Sequence, residues 1–278
     1  MNANGTLRWS GVAGIELKTA DQILLVDPYF TRIPFWRTWF GKVSANHSLV
    51  AELTPRCSYI LVTHSHFDHC MDVPEILQNT GAVGLGSYNT CELLRIHGVE
   101  ESRISKIRAG DQFKLGDFQV EVFRAKHVFI PGLTPGKLPA NLVPPLTARQ
   151  YRMDEVFSYR ITVNGLRFLT DVGVAPKQGV PADILFVNPY LYRRHYETLL
   201  GNVRPSVVIP IHWDDFYQPL SKPLRPFIQP PRLKFPPVGR LDLQDFRRMI
   251  KKIDPGIRVF LPEALQRYPL DIFADSVR

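Results

Sequence analysis

Four separate apolar, strand-like runs of this 278-residue chain each end in a residue able to hold a metal ion. The run Tyr59-Ile60-Leu61-Val62 leads into Thr63-His64-Ser65-His66-Phe67-Asp68-His69, and three later runs lead to His127, Asp171 and His212. β-Branched, apolar runs of this kind read as buried strands. Residues just beyond them sit on loops carried by a rigid sheet, where chemistry is usually placed. The pattern therefore asks for strands laid side by side, with these four ends brought to one edge.

The first stretch sets the chemistry. It gathers three of the chain's eight histidines and one carboxylate into seven residues. Neutral imidazole and carboxylate are the ligands that zinc, iron and manganese take. A purification tag would sit at a terminus and lack Asp68, and a solvated turn rarely collects so many imidazoles. His47 and His97 stand alone and read as ordinary histidines.

Composition narrows the class. With 45 % hydrophobic and 22 % charged residues, the chain has ordinary globular usage and length for a substantial core. Cys57, Cys70 and Cys91 are too few and too irregular for a disulfide framework. The start, Met1-Asn2-Ala3-Asn4-Gly5, lacks the basic-then-apolar pattern of a secretory leader, and no apolar run approaches the ~20 residues that span a bilayer. A soluble, cytoplasmic protein is expected. The balance of 34 Lys+Arg against 26 Asp+Glu gives +8, which favours anionic partners. The basic residues are scattered, however, and no familiar nucleic-acid motif is present.

Strands are predicted over 6–9, 12–17, 23–26, 83–85, 118–123, 156–163, 166–169, 184–187, 207–211 and 257–261. Helices are predicted over 74–78, with Asp72 as N-cap, and over 89–97, 192–200 and 241–253. Asn164-Gly165 between two alternating runs predicts a hairpin. The aromatic stretch 29–43, holding Phe30, Phe35, Trp36, Trp39 and Phe40, reads as a loop or short helix interrupted by Pro34. Capping the core is its ordinary role; an apolar lip over a pocket or a membrane-facing patch is its functional one. The proline-rich segment 128–152 is too long for a mere connection, and covering the substrate is its preferred role. Residues 219–237 read as an extended surface arm. One mixed α/β domain over 1–278 is the economical organisation.

The motif His64-x-His66-x-Asp68-His69, followed by His127, Asp171 and His212 at strand ends, resembles the metallo-β-lactamase superfamily. So do Asp27-Pro28 after an early strand, the step Thr170-Asp171 and the ending Ile209-Pro210-Ile211-His212. The details are most similar to the branch with the ascorbate-6-phosphate lactonases and the N-acyl-phosphatidylethanolamine phospholipase D enzymes. The resemblance implies a four-layer αββα sandwich with metals at one edge of the sheets. It also implies a first metal on His64, His66 and His127, a second on Asp68, His69 and His212, and Asp171 bridging. Zinc is the default for both ions, with manganese or iron open. The chain departs from many members in having Cys70-Met71 where glycine often follows the cluster. Cys70 has two readings, a thiolate near the second metal or a small apolar core residue.

A two-metal hydrolytic site activates water for attack on a carbonyl or phosphoryl centre. Asp68 is the candidate catalytic residue, orienting the nucleophile or relaying a proton. Asp27, Asp72 and Asp214 are candidates for orienting the histidines from behind. His195 is a candidate substrate contact, with a surface role as its alternative. The expected activity is hydrolysis of an ester bond, a phosphoester or lactone of a small anionic or lipid-like substrate. Two other classes stay open: a di-iron oxidoreductase on the same fold, and a metal-stabilised module that binds nucleic acid or touches membrane peripherally through residues 35–40. Oligomeric state is not read from the sequence.

Overall fold

The computed structural model describes residues 5–127, 135–171, 179–227, 240–274 and 276. Its frame is two seven-stranded sheets. The first runs Arg267–Pro269, Thr6–Gly11, Gly14–Lys18, Ile23–Val26, Tyr59–Leu61, Val83–Gly86, Ile104–Lys106 in spatial order. The second runs Arg258–Val259, Val207–Pro210, Ile184–Val187, Leu166–Asp171, Phe157–Val163, Phe118–Arg124, Gln112–Leu115. Both are built alike: an antiparallel meander passes into parallel strands joined by crossovers. This is the mixed α/β sandwich the sequence predicted.

Period-2 alternation explains the layering. In the second sheet Phe168, Ile184, Phe186, Val207 and Ile209 point into the large core shared with the first sheet. Their neighbours Leu169, Leu185, Val187 and Val208 point outward, under the helices Arg193–Val203 and Leu243–Ile253. The first sheet is covered by Val73–Thr80 and Tyr88–Ile96, which bury Ile76, Leu77, Leu93 and Leu94. That covering is tight at Gly84, where a Cβ would come 2.8 Å from Leu77 Cδ1.

Local chemistry sets the turns and caps. Asn164 and Gly165 carry φ of 51° and 78°, as a two-residue hairpin loop of the favoured hand requires. Asp242 caps the helix Leu243–Ile253 by accepting from Gln244 N and Asp245 N. Asp72 does not cap its helix. Its carboxylate turns instead to the loop before it, accepting from Phe30 N at 2.6 Å and Thr31 N at 2.9 Å.

Of the aromatic stretch, Phe30 packs in the core as expected, whereas residues 35–39 form a short helix on which Phe35, Trp36 and Trp39, with the adjoining Phe40, are exposed. Of segment 128–152, residues 128–134 lie outside the described residues. The rest forms a short strand, Leu146–Thr147, paired with Lys42–Val43, and a turn at Ala148–Gln150. Residues 228–239 of the expected surface arm also lie outside the described residues. Among the described residues no helix is long and apolar enough to cross a membrane.

Candidate metal centre

The strand ends carrying residues 64–69, His127 and His212 meet. The strand Tyr59–Leu61 delivers residues 62–66 to the sheet edge, and Phe67–Cys70 then turns as a short buried helix. The loop is fastened to the second sheet by Tyr159, whose hydroxyl donates to the Val62 carbonyl at 2.6 Å, and by Phe157 N, which donates to the Thr63 carbonyl at 2.9 Å. Ser65 Oγ donates to the Arg152 carbonyl at 2.6 Å.

Two ligand triads result: His64, His66 and His127, and Asp68, His69 and His212, the donor atoms within each lying within 4.8 Å of one another. Among the described residues these are the groupings of three or more such donors. The triads adjoin, the His64 and His69 ring centres being 3.9 Å apart; within the second, Asp68 Oδ2 lies 3.4 Å from His212 Nε2. Each triad takes two members from the end of the first sheet and one from the second.

The donor set fits bound cations. His64 Nε2 and both ring nitrogens of His66 are buried without a hydrogen-bond partner. Buried polar atoms are normally satisfied, so such a concentration of orphans marks a ligand's place. Burial, reinforced by neighbouring imidazoles, holds His64 well below the usual histidine range, and burial with His127 pushes His66 down to about 3. Both rings are thus neutral and able to coordinate. Burial would raise the Asp68 carboxyl, but His69 and His212 outweigh it and keep it ionised. Burial would lower His69, but Asp27 and Asp68 reverse the sign and raise it.

One carboxylate orders two of these rings. Asp27, fully buried at the end of Ile23–Val26, accepts from Thr63 N at 2.7 Å through Oδ1. Its Oδ2 accepts from the Thr63 hydroxyl and from His69 Nδ1, the latter at 2.8 Å. With its proton committed to Asp27, Thr63 Oγ1 accepts from His64 Nδ1–H at 3.0 Å. Both imidazoles are thereby held with Nδ1 protonated and the Nε2 lone pair turned toward the site, the tautomer a metal ligand needs. Asp27 meets its expected orienting role. The relay through Thr63 was missed, although its position between a strand end and the first histidine was a usable signal.

The other candidates fall differently. Asp214 does not touch a ligand ring; it accepts from Val12 N at 2.9 Å and pairs with Arg32 Nη2 at 2.8 Å, both side chains fully buried. Asp72 likewise holds the 30–31 loop rather than a histidine. Cys70 is buried in the core, outside both triads, and burial raises its thiol, so it acts as a small apolar residue. Asp171 is buried at the end of Leu166–Asp171 but belongs to neither triad; His195 Nε2 lies 3.7 Å from its Oδ2. At that distance no hydrogen bond forms, and His195 Nε2 is left buried without one. His195 is thus half-buried beside Asp171 rather than fully exposed.

Comparison with known proteins agrees with this geometry. The model of the beta-lactamase superfamily domain matches residues 23–213. A metal-dependent hydrolase of Rhizobium meliloti is 30 % identical over 121 residues, 44 % of this chain and 47 % of its own length, so the chain spans about half of that relative. A metal-dependent hydrolase of Pyrobaculum islandicum is 27 % identical over 217 residues, 78 % of this chain and 86 % of its own. The solved structure of a metallo hydrolase from the archaeon Ignicoccus hospitalis superposes with a TM-score of 0.60 at 15 % identity, covering 95 % of this chain and 97 % of that one, a likeness of fold. Two mixed sheets, a sheet-edge cluster of histidine and aspartate, and a domain match over most of its length together place this chain in the metallo-β-lactamase superfamily.

Proposed function

We propose that this protein is a metal-dependent hydrolase that cleaves an ester bond, a phosphoester or lactone, in a small anionic substrate. The observation that carries the reading is the pair of adjoining triads with orphaned, buried imidazole nitrogens. His64, His66 and His127 would hold one divalent ion and Asp68, His69 and His212 a second, with zinc the default and Asp171 assigned the bridge by its motif position. Ions bound there supply water at lowered pKa as nucleophile and Lewis acidity for the electrophile's oxygen.

The chain's own groups do the rest. Asp27 and Thr63 keep the Nδ1 protons of His69 and His64 away from the site. Asp68, held ionised by His69 and His212, would orient the nucleophile or relay its proton, the role its motif position implies. His195, beside Asp171, is assigned a substrate contact in this reading. The +8 balance of the chain supports an anionic substrate.

The test is turnover by the zinc- or manganese-loaded protein on a panel of phosphomonoesters, phosphodiesters, lactones and amides. Hydrolysis of an ester that His66→Ala abolishes, with the fold intact by circular dichroism, supports the reading. A metal-loaded protein that turns over none of the panel, or that carries iron with a visible di-iron spectrum and consumes oxygen, overturns it.

A further inference from the structure

The short helix Phe35–Trp39 presents its aromatic side chains to solvent: Phe35 is 58 % exposed, Trp36 56 %, Trp39 45 % and the adjoining Phe40 82 %. A monomeric protein gains nothing by wetting four such rings in six residues, and clustered exposed apolar surface marks an interaction site. Val143, 73 % exposed, lies three positions before Leu146–Thr147, the strand that pairs with Lys42–Val43 just beyond the helix. Five of the seven large hydrophobic side chains exposed among the described residues thus fall on two chain segments that the strand pair joins.

The charge on these segments has one sign. Residues 28–51 and 135–153 contain no aspartate or glutamate. Exposed Arg37, Lys42, Lys137 and Arg149 stand among the aromatics. Arg37 lies 5.4 Å over the Trp36 ring and Arg149 4.8 Å over the Trp39 ring. Tryptophan with arginine is the composition of a membrane–water interface: the indole rests at headgroup depth while the guanidinium meets lipid phosphate. A protein partner of ordinary mixed charge would be met by some acidic residue, and none is present on either segment.

We propose that this face docks the protein peripherally on an anionic lipid bilayer. The docked face is continuous with the metal centre. Phe35 packs edge-on against Tyr217 at 5.1 Å, Tyr217 against Phe216 at 4.2 Å, and Phe216 lies 6.1 Å from His212. The inference stands apart from the hydrolytic reading, because it concerns where the protein sits and not what it cleaves.

The experiment is co-sedimentation of the full chain with vesicles of phosphatidylcholine alone and of phosphatidylcholine mixed with phosphatidylglycerol. Binding to the mixed vesicles that falls with added salt is expected. Arg37→Gln with Arg149→Gln should weaken it roughly thirtyfold, about fivefold for each charge at the surface. Trp36→Ser with Phe40→Ser should abolish it. Quenching of wild-type tryptophan fluorescence by brominated lipid supplies a second readout that needs no variant. Wild-type protein that stays in the supernatant with both vesicle types, or that binds neutral vesicles equally well, overturns the proposal. A wild-type dimer that Trp39→Ser converts to monomer also overturns it, since a second copy of the chain would then cover the face.

Discussion

His212 donates its backbone N–H to the carbonyl of Val12 at 2.7 Å, across two hundred positions of sequence. Both residues hold left-handed backbone, φ 58° and 47°, a conformation that costs a non-glycine residue roughly 1–2 kcal/mol. Asp27 and Arg32 share it, at 45° and 50°. Left-handed backbone occurs elsewhere too, as at Asn164, but these four residues lie on segments that present or brace the triads, where surrounding bonds hold them. Asp214 holds Val12 N on one side and Arg32 on the other.

That brace predicts a separation of stability from activity. Asp214→Leu leaves the Arg32 guanidinium buried and unpaired and should cost about 3–5 kcal/mol in urea denaturation. Adding Arg32→Met should recover much of the loss, since an apolar pair can replace a buried ion pair. Activity and metal affinity should stay low in the double variant, because Val12 and with it His212 remain unseated. Full recovery of both would mean that the brace serves stability alone. Gly11→Ala should mimic the single variant, for its Cβ would come 2.0 Å from Arg32 Nη2 at φ 88°.

Asp27→Asn should lower zinc affinity about 10–100-fold with the fold retained, as loss of a ligand's supporting acceptor typically does. Thr63→Val should weaken the His64 triad by a similar factor, and Thr63→Ser should restore it. The double variant Asp27→Asn, Thr63→Val should cost less than the sum of the two, because both act through one chain of hydrogen bonds. Competitive titration with a chromophoric chelator measures all four.

Acid should destabilise the metal-free protein. His64 and His66 are held below the ordinary value of ~6.5, His66 at about 3, so the unfolded chain binds more protons in that window. Stability is present above ~6.5 and is lost as pH falls toward 3. His69 is shifted the other way; it is charged in both states below ~6.5 and its contribution fades only at higher pH. Calorimetry in chelator across pH 7 to pH ~4 should show a falling melting temperature, and a flat profile would contradict the neutral assignment of His64 and His66.

The cysteines should be inert. Cys57, Cys70 and Cys91 are free and buried, and burial raises each thiol, Cys57 to about 12 and Cys91 to about 11. No thiol should react with an aromatic disulfide reagent in the folded protein, and all three should react in denaturant. Cys70→Ala should leave zinc content unchanged.

The members of the two triads were legible in the sequence because each follows a run whose composition commits it to a strand. The strands Ile184–Val187 and Val207–Pro210 were legible for the same reason, being buried on both faces and apolar throughout. Gln112–Leu115 and Arg267–Pro269 were not: they are edge strands of mixed polarity whose pairing, not their composition, defines them. The orienting carboxylates were ambiguous for a related reason. Asp27, Asp72 and Asp214 look alike in sequence, each beside a turn or cluster, and only the fold decides which one faces a histidine. The shared plan of the two sheets left no trace, since strand order can be duplicated without any residue being kept.

Each triad draws two members from one sheet and one from the other, so an ion bound there would add a tie between halves already joined by apolar packing and by bonds such as that from the Tyr159 hydroxyl to the Val62 carbonyl. The cluster's geometry would then gauge alignment between the sheets. A slip of an ångström between the sheets would change no donor residue, yet it would open both triads at once.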